Sequence, residues 1–148
     1  MTSMWGILES YVNLAISKFA GYEALIDYRA LIMVAHSSFQ QRVDIIGSLC
    51  ERLLPEFPEL RDYKNVIARI QLAQRARNKF AHNSITTNAE TGEVTISCVT
   101  ARGKLKTTTE IVKLEAIVET TANIHEAMCA LHTLVTGKEL KPVWERQT

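Results

Sequence analysis

No sign of charge dominates this chain. Its 17 lysines and arginines face 16 aspartates and glutamates, a formal net charge of +1. No bulk field therefore draws it to nucleic acid or membrane, and any polyanion must be held by a local patch. Cysteines are few and scattered: Cys50, Cys98 and Cys129 form no CxxC pair and have no histidine at zinc-finger spacing. That spacing argues against a disulfide framework and a structural zinc site, and predicts buried thiols in a reducing compartment. The longest purely apolar run, Ala30 to Ala35, is far short of the about 20 residues that span a bilayer. The N-terminus carries no basic stretch and reaches Glu9 early, unlike a secretory signal. The expectation is a cytoplasmic protein with no membrane partner. There is no internal repeat and no low-complexity tract.

Helical periodicity is abundant. Ile7, Leu8, Tyr11, Leu14, Ala15 and Phe19 recur at three- and four-residue intervals and predict a first helix over 3–20. Gly21 interrupts it, and a second helix is predicted from about Glu23 to Ala35. Ser37-Ser38 has the chemistry of a cap, opening a helix that carries Phe39, Val43, Ile46, Leu49, Leu53 and Leu54. Pro55 and Pro58 enforce a break. A fourth helix is predicted from Leu60 to about His82 on the apolar positions Val66, Ile67, Ile70, Ala73, Ala76 and Phe80. Asn83 to Thr109 is rich in threonine and valine. Val94, Ile96 and Cys98 alternate with polar neighbours, turn residues fall at 88–92 and 101–103, and a β-hairpin is predicted with strands near 93–99 and 103–108. Helical spacing returns at Thr109 and runs through Ile117, Ile124 and Leu131 to Gly137, with Glu110 at the positive end of the helix dipole. The domain expected is 1–137, all-α apart from the hairpin at about 93–108, followed by a loosely ordered tail over 138–148.

The run Arg77-Asn78-Lys79-Phe80-Ala81-His82 stands out. On an ideal helix, with Ile70 at zero and roughly 100° per residue, Arg77 falls near about 340° inside the apolar arc of Val66, Ile70, Ala73, Phe80 and Ala81. Asn78 and His82 fall together on the flank of that arc, as an i, i+4 pair does. A guanidinium keeps its proton, so one placed on an apolar stripe needs partners. Roughly 140° separates Arg77 from His82 on an ideal helix. They meet only if the arginine wraps round, if the helix loosens at its end, or if a second subunit contributes.

Arg77-Asn78-x-x-x-His82 resembles the signature of the HEPN domains, helical modules of RNA-cleaving toxins and defence systems. Around it, Arg69 to Gln74 precede the motif, and a polar hairpin and a long final helix follow. The stretch from His36 to Ile46 also resembles the helix start of bacterial proteins in this group, so the resemblance covers most of residues 5–136. It implies a HEPN-like bundle of about five helices with a hairpin inserted before the last, and a metal-independent endoribonuclease that uses no cofactor. His82 would then serve in acid–base catalysis on the RNA 2′-hydroxyl or the leaving oxygen, as an imidazole does. Arg77 would stabilise charge on the phosphorus-bound oxygens. Asn78 would orient the imidazole or donate to a phosphate oxygen, and Arg75 and Lys79 would bind flanking phosphates. The resemblance also implies a homodimer with a composite cleft, in a toxin–antitoxin, defence or stress setting where an antitoxin or regulatory protein is a candidate partner. In one respect the chain departs from the family. Toxins paired with nucleotidyltransferase antitoxins carry a tyrosine two positions after the motif histidine, where this chain has Ser84, so that kind of partner is not implied.

Plainer readings stand beside this one. Arg77 alone is a buried arginine that caps carbonyls or pairs with an acid. His82 alone is a C-terminal helix histidine, and Asn78 a surface amide. The same fold also suits a non-catalytic dimerisation or RNA-binding scaffold, or a helical interaction protein whose motif is accidental. His36, His125 and His132 lack a third ligand at metal spacing and read as structural or surface residues. Asp27, Arg29, Arg42 and Asp44 are candidates to line the cleft, with nothing in the sequence to choose among them. Arg102, Lys104 and Lys106 on the hairpin read equally as a solvated turn or a minor RNA contact, and Trp5 and Trp144 as packing residues.

Overall fold

A computed structural model describes residues 2–23, 27–101 and 103–146. Helix α1 (Thr2–Phe19) buries Trp5, Leu8, Val12, Ala15 and Ile16, a stripe rotated from the expected one, since Ile7 is exposed. Gly21 follows at φ 84°, a left-handed conformation that glycine adopts freely. Helix α2 (Tyr28–Val34) is shorter than the expected 23–35 because Asp27 caps it, accepting from the Arg29 N–H. Residues 24–26 of that expectation lie outside the described ones. Helix α3 (Phe39–Leu53) starts at a full capping box. Ser38 accepts from the Gln41 N–H, and the Gln41 side chain accepts from the Ser38 N–H.

After Pro55 a 3-10 turn runs over Pro58–Asp62, with proline at its start and Leu60 buried. Helix α4 (Tyr63–Ala81) therefore begins three residues later than the periodicity of Leu60 suggested, and it buries Tyr63, Val66, Ile70, Ala73 and Phe80. Ala81, expected in the apolar arc, is exposed. Helix α5 (Leu114–Thr136) closes the bundle and ends at Gly137, φ 68°. The aliphatic stripes of α1, α3, α4 and α5 meet in one continuous core.

The expected hairpin is a three-stranded antiparallel sheet in the order β1 (Ser84–Thr87), β2 (Val94–Ala101), β3 (Leu105–Ile111). The chain is thus mainly helical, with five α-helices among the described residues, but it is not plainly all-α. β1 was missed because four residues carry too little alternation to register. Thr109 to Ile111, expected in the first turn of the last helix, instead continue β3. The β-branched run Thr107-Thr108-Thr109 favours strand, and the ladder extends through Val112, whose N–H donates to the Val94 carbonyl at 2.8 Å. Ile96 anchors the sheet and is fully buried. The tail also departs from expectation. Leu140 packs on the core, the Val143 N–H donates to His125 Nε2 at 3.1 Å, and the Trp144 ring lies 5.2 Å from the imidazole. Among the described residues no helix is long and apolar enough to cross a membrane.

Candidate active site

The motif occupies the last turn of α4. Its final intrahelical bond runs from the His82 N–H to the Asn78 carbonyl at 3.2 Å. His82 itself is the C-cap, with φ −117° and ψ 4°, outside helical geometry. The Asn83 amide donates to the Lys79 carbonyl at 2.6 Å, occupying one of the carbonyls that a helix end leaves unbonded.

Leaving the helical path at His82 solves the problem posed by the wheel. The Arg77 side chain reaches round, and its Nη1 lies 3.4 Å from His82 Nε2 and 3.3 Å from Asn78 Oδ1. Two of the three routes foreseen, a wrapped arginine and a loosened helix end, act together within one chain. The angular mismatch therefore no longer requires a second subunit. A guanidinium only donates, so a hydrogen bond here requires a lone pair on His82 Nε2. Both distances are long for hydrogen bonds. His82 is exposed, while Arg77 and Asn78 are half-buried.

What holds Arg77 is aromatic. Its Cζ lies 5.1 Å from the centroid of the Trp5 ring, within cation–π range. Trp5 is buried and packs on Phe39, with centroids 4.5 Å apart. On the far member of that pair, Arg42 Cζ lies 5.9 Å from the Phe39 centroid. Arg42 also donates to Asn13 Oδ1 at 2.9 Å and pairs with Glu9 at 3.5 Å. Two arginines thus flank a tilted pair of rings that joins the starts of α1 and α3 to the end of α4. Trp5 and Phe39 had been read only as packing residues. Periodicity within one helix cannot reveal a platform built from three.

The other candidates separate. Lys79 forms an ion pair with Glu110 of β3 at 2.6 Å, both about half exposed, so its charge is partly neutralised by its own chain. Arg75 is exposed. Asp27 and Arg29 bind each other at 2.7 Å, and the guanidinium holds the Asp27 carboxyl below the usual range. Asp44 accepts from Gln40 of its own helix at 2.8 Å. His36 is exposed. His132 contacts the Thr136 hydroxyl at 3.4 Å, and His125 is buried under the tail. Arg102 lies outside the described residues. An apolar cavity of 380 Å³ lies elsewhere, lined by Phe19, Leu53, Phe57, Leu60 and Leu134. Among the described residues no three histidines, cysteines or acids group as metal ligands do.

Comparisons of the chain with family models, with curated proteins and with solved structures return no match.

Proposed function

We propose that the chain is a metal-independent endoribonuclease of the HEPN type, acting in the cytoplasm as a homodimer in a toxin, defence or stress role. An antitoxin or another regulatory protein would restrain it. The observation that carries this reading is the convergence of Arg77, Asn78 and His82 at one exposed helix end, with the guanidinium 3.4 Å from the imidazole. His82 Nε2 accepts the proton of a substrate 2′-hydroxyl, and O2′ attacks the adjacent phosphorus. The P–O5′ bond breaks, O5′ leaves and takes up a proton from solvent, and a 2′,3′-cyclic phosphate remains. Arg77 passes from Nε2 to the non-bridging oxygens, where a forked donor offsets the growing charge. Asn78 keeps the guanidinium aligned, and Arg75 and Lys79 meet flanking phosphates. The nucleophile is the substrate's own hydroxyl, so DNA is not cut.

Incubation with single-stranded RNA in EDTA tests this. Cleavage with a cyclic-phosphate product is expected from wild type and is lost in Arg77→Ala and His82→Ala. No cleavage of any RNA, or equal cleavage by the variants, would overturn it. A second reading, the non-catalytic RNA-binding or dimerisation scaffold, draws on the Trp5–Arg77 contact and the Lys79–Glu110 pair, which give both cations structural work. On that reading RNA binds without cleavage, and the two alanine variants lose stability.

A further inference from the structure

We infer that β3 is the docking edge for a second copy of this chain, in an antiparallel pair centred on Thr108. This names the surface behind the dimer of the reading above, but it rests on the strand edge alone. β3 is an outer strand of the sheet, and every residue of it is exposed. Its register with β2 runs unbroken from Leu105 to Ile111, with neither the bulge nor the proline that commonly blunts a free edge. Val112 bonds its partner Val94 directly. The alternation of an antiparallel ladder then turns the N–H and C=O groups of Glu110, Thr108 and Lys106 toward β2, and those of Ile111, Thr109, Thr107 and Leu105 toward the open edge.

The sequence along that edge is complementary to itself. A two-fold axis at Thr108 sets Leu105 against Ile111, Lys106 against Glu110 and Thr107 against Thr109 of the second copy. All the outward-facing groups then face one another, with Thr108 opposite Thr108 as a non-hydrogen-bonded pair. Lys106 and Glu110 share one face of the sheet, so two opposite-charge pairs form across the axis. Leu105 and Ile111, 76% and 59% exposed, share the other face and cover each other. A slip of two residues opposes Lys106 to Thr108 and Leu105 to Thr109 and loses both matches. A slip of one sets outward groups against inward ones. Glu110 meets Lys79 through Oε1, leaving Oε2 for Lys106 of the second copy. That lysine then stands beside Lys79.

Sedimentation and light scattering without RNA test the pairing. Wild type is expected to be a dimer. Lys106→Glu and Glu110→Lys each place like charges opposite one another twice and should weaken the dimer by about tenfold or more. Mixed in equal amounts, the two variants complement each other. One copy presents an acid at both positions and the other a lysine at both, so each pair across the axis is again opposite in charge. A heterodimer should therefore form that is tighter than either homodimer. Thr107→Pro removes an N–H from the open edge and not from the β2 ladder. It should give a monomer with unchanged circular dichroism. A monomeric wild type, variants as dimeric as wild type, or a mixture no tighter than its components would each overturn the pairing. None of these outcomes depends on RNA cleavage, so the pairing and the nuclease activity fail separately.

Discussion

Replacing Trp5 with leucine tests whether the aromatic platform holds the site. Trp5 is 5% exposed, packed against Phe39 with ring centroids 4.5 Å apart, and capped by the Arg77 guanidinium at 5.1 Å. Cutting a buried tryptophan back to alanine costs about 3–5 kcal/mol. Leucine refills part of the volume and should bring the loss to about 2–3 kcal/mol, of which the aromatic pair accounts for about 0.5–1.5 kcal/mol. The cation–π share is separable. Arg77 is half-buried and partly screened, which places its coupling to Trp5 near the low end of the range, about 0.5–1 kcal/mol. A double-mutant cycle isolates it, pairing Trp5→Leu with Arg77→Met, which keeps the aliphatic stem and removes the charge. Urea unfolding supplies the four free energies. Trp5→Phe keeps an aromatic face and should retain most of the coupling. If the coupling lies within the about 0.3 kcal/mol at which distant sites add, Trp5 merely packs and the platform argument is wrong.

Two further outcomes follow from the buried groups. Burial, reinforced by Arg146 and opposed by Glu126, holds the His125 imidazole below its ordinary pKa of 6.5, while Nε2 accepts from Val143. Its neutral form is the folded one, so the contribution is complete above 6.5 and is lost as pH falls through the lower folded value. The melting temperature of wild type should decline across that window more steeply than that of His125→Gln. Parallel curves would exclude the linkage. Burial likewise pushes the Cys50 thiol up to about 11 and raises Cys129, whereas Cys98 is half-buried on β2. A thiol reagent should therefore label Cys98 first in the folded protein, and mass mapping of early adducts on Cys50 or Cys129 would contradict this.

The helical part of the fold was legible because burial imposes a period. Val43, Ile46 and Cys50 on α3, and Val66, Ile70 and Ala73 on α4, repeat at the spacing that one packed face requires. The cap at Ser38 and the helix end at Gly137 were equally readable because their chemistry is local. The sheet was legible at β2, around the fully buried Ile96, and in the first half of β3, where a strand was expected over 103–108. β3 is exposed throughout, so no burial marks its end. Its Thr-rich C-terminal half borrowed a helical look from the residues of α5 that follow.

The site divides along the same line. The motif residues and their helix end could be read from one stretch of chain, and the wheel correctly exposed an angular conflict between Arg77 and His82. The resolution could not be read there. It depends on His82 adopting the non-helical angles of a C-cap and on Trp5, from the first turn of α1, offering a ring to the guanidinium. A helix wheel treats an arginine in an apolar arc as pointing into the core. Here the arc opens onto an indole ring, with the guanidinium carbon 5.1 Å from its centroid while Nη1 reaches His82. The apolar position of Arg77 and its contact with an exposed imidazole are therefore one arrangement, and a lysine, lacking the planar fork, would not be expected to satisfy both contacts.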